Sequence, residues 1–317
     1  MKNLLGIFTL LLLILSCSSD DNSDNADDII ETRYKLIFET DASGAIIGDN
    51  SNTVIKRLHK YGDHVTFSFY FNETTNNFYF SSLSDTSNDL VFHKANVLDV
   101  LNSDEYHYPT QEIPILISDQ EHLEKAVIDN NENIYLVLED SPNPSFENIY
   151  YRKIVSNQVV ENINLTANFG IFGYLDFFYL DIPNKLVILD EETNQINGVI
   201  IDLDTNAMTQ ISLPSNLNVF NIISSSSDIY IISRREINFE VFEYLYDIQG
   251  NQISTLSDFI GGSAIGYDSE DSRFEYIESG DGRNEAGIIN IQTGELDKSS
   301  INGEPGFHSS NLFFFNN

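Results

Sequence analysis

The sequence predicts an all-β protein built as a single β-propeller of six four-stranded blades, and three observations carry that reading. From Tyr34 onward, short runs of Ile, Val, Leu, Phe and Tyr, many of them alternating, are punctuated by Asn, Asp, Gly and Ser. A polar turn followed by an aromatic or aliphatic strand recurs at Asn77, Asn133, Asn184, Asp228, Arg273 and Asn311, with intervals of 56, 51, 44, 45 and 38 residues. Those intervals bracket the roughly 40 to 50 residues of a four-stranded propeller repeat. The two ends of the chain also complement each other: Leu36–Gly44 reads as a strand and turn without a preceding unit, and Leu312–Phe315 as a strand without a following one. Joined, they complete the last blade and remove the exposed sheet edge at the seam.

Taken in order, the chain opens with Lys2 and an apolar run from Leu4 to Leu15 broken only by Gly6 and Thr9. That is the charged start and short apolar segment of a secretory signal, too short for a permanent membrane span. The run closes on Ile14, Leu15, Ser16 and Cys17, which resembles the lipobox of bacterial lipoproteins. The resemblance implies that Ile14, Leu15 and Ser16 are recognised by the signal peptidase and that Cys17 is acylated, with palmitate among its chains, to form a membrane anchor. Cys17 is the only cysteine, and in an exported chain an odd thiol needs a use. From Ser18 to Asp28 the chain is polar and acidic, with the composition of a solvated tether. An acidic run at this place resembles the export signal of Bacteroidota surface lipoproteins, implying the outer face of the outer membrane, with the periplasmic face as the alternative. The boundaries expected are 1–16 for the signal peptide, 17–32 for the acylated cysteine and tether, and 33–317 for the propeller.

Within the propeller a second unit recurs, a strand followed by a turn rich in Asp, Gly, Asn and Thr, as in Val199–Asn206, Tyr246–Gly250 and Ile289–Gly294. Its turn positions Asn206, Gly250 and Gly294 are each 44 apart, and Asn or Gly recurs there because a tight hairpin needs a residue at positive φ. Inner strands should be small-rich, and Gly261–Ala264 and Phe169–Gly173 suit them. The nearest approach to an amphipathic helix is Gln120–Ala126. The long first interval leaves a five- or seven-bladed ring, or a twin β-sandwich, compatible with the pattern. The whole resembles β-propeller lipoproteins, and the Asn290–Gly294 turn looks like repeats of the quinoprotein and YVTN type. The chain has no Trp, so the tryptophan of quinoprotein repeats is missing and no family's functional residues carry over.

The formal charge is −33, from 16 basic and 49 acidic residues, which argues against nucleic acid and anionic lipid headgroups as partners. With Cys17 acylated, no thiol remains for a disulfide, a cysteine-ligated zinc or a cysteine nucleophile. The six histidines His59, His64, His93, His107, His122 and His308 fall into no zinc or triad spacing. Calcium is the one metal to consider, through the turns 129–133, 190–194 and 278–282, although none matches a full calcium-loop pattern. Tyr106, His107 and Tyr108 lie in an expected loop and are the candidate aromatic rim for a ligand. Gly261–Gly266 lacks nucleophile-elbow spacing. The expected function is a tethered binding or scaffold module for an outer-membrane protein complex or an extracellular ligand such as a glycan. A glycan hydrolase with carboxylates at the channel mouth is the alternative.

Overall fold

The computed structural model describes residues 32–38, 43–58, 69–84, 89–104, 108–118, 121–129, 131–140, 148–172, 175–180, 183–190, 195–237, 240–256, 263–280, 283–303 and 311–316. Three strands come first: β1 (Arg33–Phe38), β2 (Gly44–Gly48) and β3 (Val54–Leu58). Blade I follows as β4 (Phe69–Asn72), β5 (Asn77–Leu83), β6 (Leu90–Asn96) and β7 (Gln111–Pro114). Blade II is β8 (Glu121–Ile128), β9 (Ile134–Asp140), β10 (Asn148–Val155) and β11 (Gln158–Asn164). Blade III is β12 (Leu175–Leu180), β13 (Lys185–Asp190), β14 (Gln195–Asp202) and β15 (Met208–Pro214). Blade IV is β16 (Val219–Ser224), β17 (Ile229–Ile237), β18 (Glu240–Asp247) and β19 (Gln252–Leu256). Blade V is β20 (Ser263–Asp268), β21 (Arg273–Gly280), β22 (Arg283–Ile289) and β23 (Leu296–Ser300), and the chain closes with β24 (Asn311–Asn316).

Each blade is an antiparallel meander, and β24 pairs with β1 to make blade VI in the order β24-β1-β2-β3. The six-bladed ring and its closure between the termini are therefore as the sequence predicts. The first strands of successive blades touch one another around the axis. At the seam β20 and β24 share a parallel bridge, Ile265 to Asn311, which joins blades V and VI into one eight-stranded sheet.

Strand alternation explains how the ring is held. Along β9, Ile134, Leu136 and Leu138 pack toward blade I while Tyr135 and Val137 pack toward blade III. Every blade does this, so the buried residues fall into six apolar clusters, one at each interface between neighbours. Four-stranded sheets buried on both faces read as near-continuous apolar runs, such as Leu186–Leu189. The interface between blades VI and I is aromatic, with Phe38, Phe71, Phe78, Phe80, Phe313 and Phe315. That between V and VI is lined by smaller residues, Ala45, Ala264 and Ala286 among them.

Three details differ from the sequence reading. In five blades the first recurring unit is the second strand, but Asn311–Phe314 is the innermost strand of blade VI, and Leu36–Gly44 spans its second and third strands. The closure is thus one strand from the C-terminal end and three from the N-terminal end, which also explains the short last interval. Gln120–Ala126 is no helix; from Glu121 it belongs to β8, along which Ala126 and Ile128 pack toward blade I and Val127 toward blade III. Phe169–Gly173 is no inner strand: Leu165–Phe169 is a short helix capped by Asn164 and ended by Gly170 at φ 66°, and the inner strand starts at Leu175. Gly261 and Gly262 lie outside the described residues, while Ser263 and Ala264 do open an inner strand.

Candidate functional site

Because all first strands run the same way, the two ends of the ring are chemically different. One end carries the turns between first and second and between third and fourth strands. There Asn76, Asn184 and Asn206 sit at φ 56°, 57° and 59°, and Gly250 and Gly294 at 82° and 74°. A Cβ on Gly294 would stand 2.0 Å from the Thr255 carbonyl oxygen, so glycine is required by space as well as by φ. We call this the turn face. The other end, the entry face, receives each connection from the previous blade and the turns between second and third strands.

Large exposed apolar side chains gather on the entry face. Leu116 and Ile117 lie between β7 and β8, Phe172 precedes β12, Phe220 stands near the start of β16, and Ile237 and Val241 flank the turn between β17 and β18. Each is between 36% and 51% exposed. They follow one another around blades II, III and IV as an arc. Of the large apolar residues exposed elsewhere among those described, Ile55, Val159 and Val160 all belong to outermost strands.

The arc has a built substructure. Asp190 accepts a bond from the Phe172 backbone N–H at 2.7 Å, fixing the loop that presents the ring. Phe220 lies under the Arg234 guanidinium, 3.6 Å from its ring centroid, and Arg234 donates from Nη2 and Nε to Glu243 Oε1 at 2.7 and 3.0 Å. Glu243 is fully buried, and burial pushes its carboxyl up, opposed by Arg234 and helped by Glu278 facing it from blade V. Through Oε1 that buried carboxyl holds the stacked Phe220–Arg234 pair in place, while its buried Oε2 has no hydrogen-bond partner among the described residues.

Carboxylates rim the arc. Asp140 ends β9, Asp176 lies near the start of β12, and Glu124 sits at the irregularity in β8. Glu121 is clasped by Arg152 through two bonds, one of them 2.9 Å, and the guanidinium holds its carboxyl down at about 2. Lys125 faces blade III beside Val137, and burial lowers its ammonium to about 8.

A second concavity lies at the seam. A cleft of about 570 Å³ is lined by Arg33, Lys35, Asp49, Arg273, Glu275 and Lys298, among others. Its charges are matched internally: Lys35 bridges Asp49 at 2.8 Å and Glu275 at 3.0 Å, Arg273 meets Asp271 at 3.0 Å, and Arg33 binds the buried Asp268. Outside it, Asn302 and Thr53 form a parallel bridge between blades V and VI. The cleft is a clasp across the closure.

The residues singled out from sequence fare differently. Tyr108 is buried, edge-on to Phe78 and Phe80 in the interface of blades VI and I, so it forms no exposed rim. Tyr106 and His107 lie outside the described residues, as do Ile14, Leu15, Ser16 and Cys17. His93 is buried and stacked on Phe80, with Nδ1 at 3.0 Å from Thr110 Oγ1. His122 is exposed beside Glu124, and the remaining histidines lie outside the described residues.

Of the calcium turns, 129–133 is the best described. Asp129 is buried and accepts from the backbone N–H groups of Asn131 and Asn133, from Asn133 Nδ2 and from the Tyr135 hydroxyl, at 2.7–2.9 Å. Those oxygens are turned into the protein and occupied. No group of three His, Cys, Asp or Glu suited to a metal ion occurs among the described residues. The exposed arc was missed because Leu, Ile, Val and Phe also fill every core strand, and only the loop geometry separates the two populations.

Comparison with known proteins establishes the fold alone. No protein-family model matches the chain, and no curated protein matches it. A chain of the nidogen/laminin complex is similar with a TM-score of 0.53 and 11% identity, over 89% of this chain and 98% of that one. TolB from Acinetobacter baumannii is similar with a TM-score of 0.49 and 10% identity, over 89% and 66%. Prolyl oligopeptidase B from Galerina marginata gives 0.45 and 11%, over 84% of this chain and 40% of that one.

Proposed function

We propose that this chain is a lipoprotein of the outer membrane, anchored through Cys17 and displayed at the cell surface, whose propeller docks a protein partner by its entry face. The observation that carries the docking is the arc Leu116, Ile117, Phe172, Phe220, Ile237 and Val241 on neighbouring blades. A monomer that leaves adjacent large apolar groups in water at one face marks a place where protein covers them. Phe220 and Arg234 form the kind of rigid aromatic and guanidinium anchor on which interface energy concentrates. The nidogen/laminin likeness places a propeller of similar build in a protein–protein complex. The lipobox, the single cysteine and the acidic tether support the anchor.

Three measurements test this reading. Cys17→Ser should abolish incorporation of labelled palmitate and move the protein out of the membrane fraction, and wild type on intact cells should be cut by added protease. Retention of label by the variant, or protease resistance of wild type, sinks the anchor or the surface assignment respectively. For docking, a photo-crosslinking phenylalanine analogue is placed at Phe172, at Phe220 and, as control, at Gln249 on the turn face. One discrete adduct from the first two and none from the control is expected. Adducts from Gln249 alone, or none at all, overturn the docking face.

A further inference from the structure

We infer that the entry-face partner is a protein with an apolar centre and a basic rim, and that carboxylates around the arc select it; this rests on the docking reading above. The chain carries 49 acidic against 16 basic residues, yet the arc itself is uncharged, so the field around it comes from its surroundings. On the entry ends of blades II and III those surroundings are Glu124, Asp140 and Asp176, all partly exposed. The cations on blades II and IV near the arc are engaged or withdrawn. Arg152 is clasped to Glu121, Arg234 is held by Glu243, Arg235 donates to the Tyr246 hydroxyl at 3.2 Å with its guanidinium over the Tyr244 ring, and Lys125 is turned between blades.

A partner approaching this end meets apolar surface within a negative border. Complementary charge accelerates encounter and fixes register, whereas like charge penalises the wrong partner. The same argument disfavours a second copy of this chain, because two chains each of net charge −33 repel before their apolar arcs can meet. Anionic lipid headgroups are disfavoured for the same reason. A basic protein surface is the occupant left by charge complementarity.

The test uses the full lipidated chain on intact cells, with the crosslinking analogue at Phe172 and irradiation in low and in high sodium chloride. The adduct yield should fall about ten-fold at high salt, as expected of an electrostatically steered contact. The double variant Asp140→Lys with Asp176→Lys should lower it comparably at low salt, its fold being confirmed by an unchanged circular dichroism spectrum and melting curve. An adduct of equal yield at both salt levels means that apolar contact alone selects the partner, which overturns this inference while leaving the docking face standing. If the double variant does not fold, the salt series on the otherwise native chain still decides. Absence of any adduct at Phe172 and Phe220 defeats both.

Discussion

Asp129 shows how much a single side chain does here without a metal or a ligand. Its carboxylate gathers two backbone N–H groups, an amide and a tyrosine hydroxyl into one turn. Asp247 repeats the arrangement in a more open turn, accepting from Gln249 and Asn251. Asp129→Ala leaves buried donors without partners and should cost about 2–4 kcal/mol, whereas Asp247→Ala, where water can replace the carboxylate, should cost about 1 kcal/mol or less. Denaturant melts of the two variants compare them directly, and equal losses would refute the distinction. Lys125 gives a pH signature. Burial disfavours its charge, so its folded-state value of about 8 lies below the ordinary 10.5. Stability that is fully present above the ordinary value is therefore lost as pH falls through about 8. Lys125→Met should raise stability at pH 7 by up to about 3 kcal/mol, and the gain should shrink toward pH 10. A pH-independent gain in thermal melts would show that packing rather than charge is responsible.

At the scale of elements, the sequence was most readable where the backbone is most constrained. The turn-face hairpins need positive φ, and Asn206, Gly250 and Gly294 announced them by residue type and by regular spacing. The entry face has no such rule. Its connections differ in length and purpose, so a short helix capped by Asn164 arose there, and another capped by Asn96 stands between β6 and β7 on the turn face, where no helical periodicity was visible for either. Six- and five-residue helices are too short to show one. The unit at each terminus was displaced by one strand for a related reason. Asn311–Phe314 looks like the second strands of other blades because both are buried on two faces, and burial alone does not reveal position from the axis. The 38-residue interval was the available sign that Asn311 belongs to a different rank. Tyr108 was misplaced through the opposite error: it follows a polar stretch, but its ring returns to the core beside Phe78.

At the scale of the molecule, the ring divides its labour between two ends, tight turns on one and apolar arc with acidic border on the other. The acidity was evident from composition, but which carboxylates border the arc required the topology. The closure is where the ring is most exposed to failure. β24 supplies the inner strand of blade VI, and Phe313 and Phe315 also fill the interface with blade I while Leu312 and Phe314 fill that with blade V. Removing residues 311–316 should abolish the single cooperative unfolding transition and leave a species that binds hydrophobic dyes. A truncated chain that melts cooperatively at the native temperature would show that five blades suffice.

The same closure orders events in time. Synthesis makes β1, β2 and β3 before any blade is complete and β24 after every other strand, so these three wait for their inner partner through the whole length of the chain. Until it arrives, the apolar flanks of blades I and V both lie open, and the Arg33 guanidinium has no assembled clasp to enter. A ribosome that stops short of β24 thus releases a protein that is visibly unfinished to proteases and chaperones, however well its first five blades have formed.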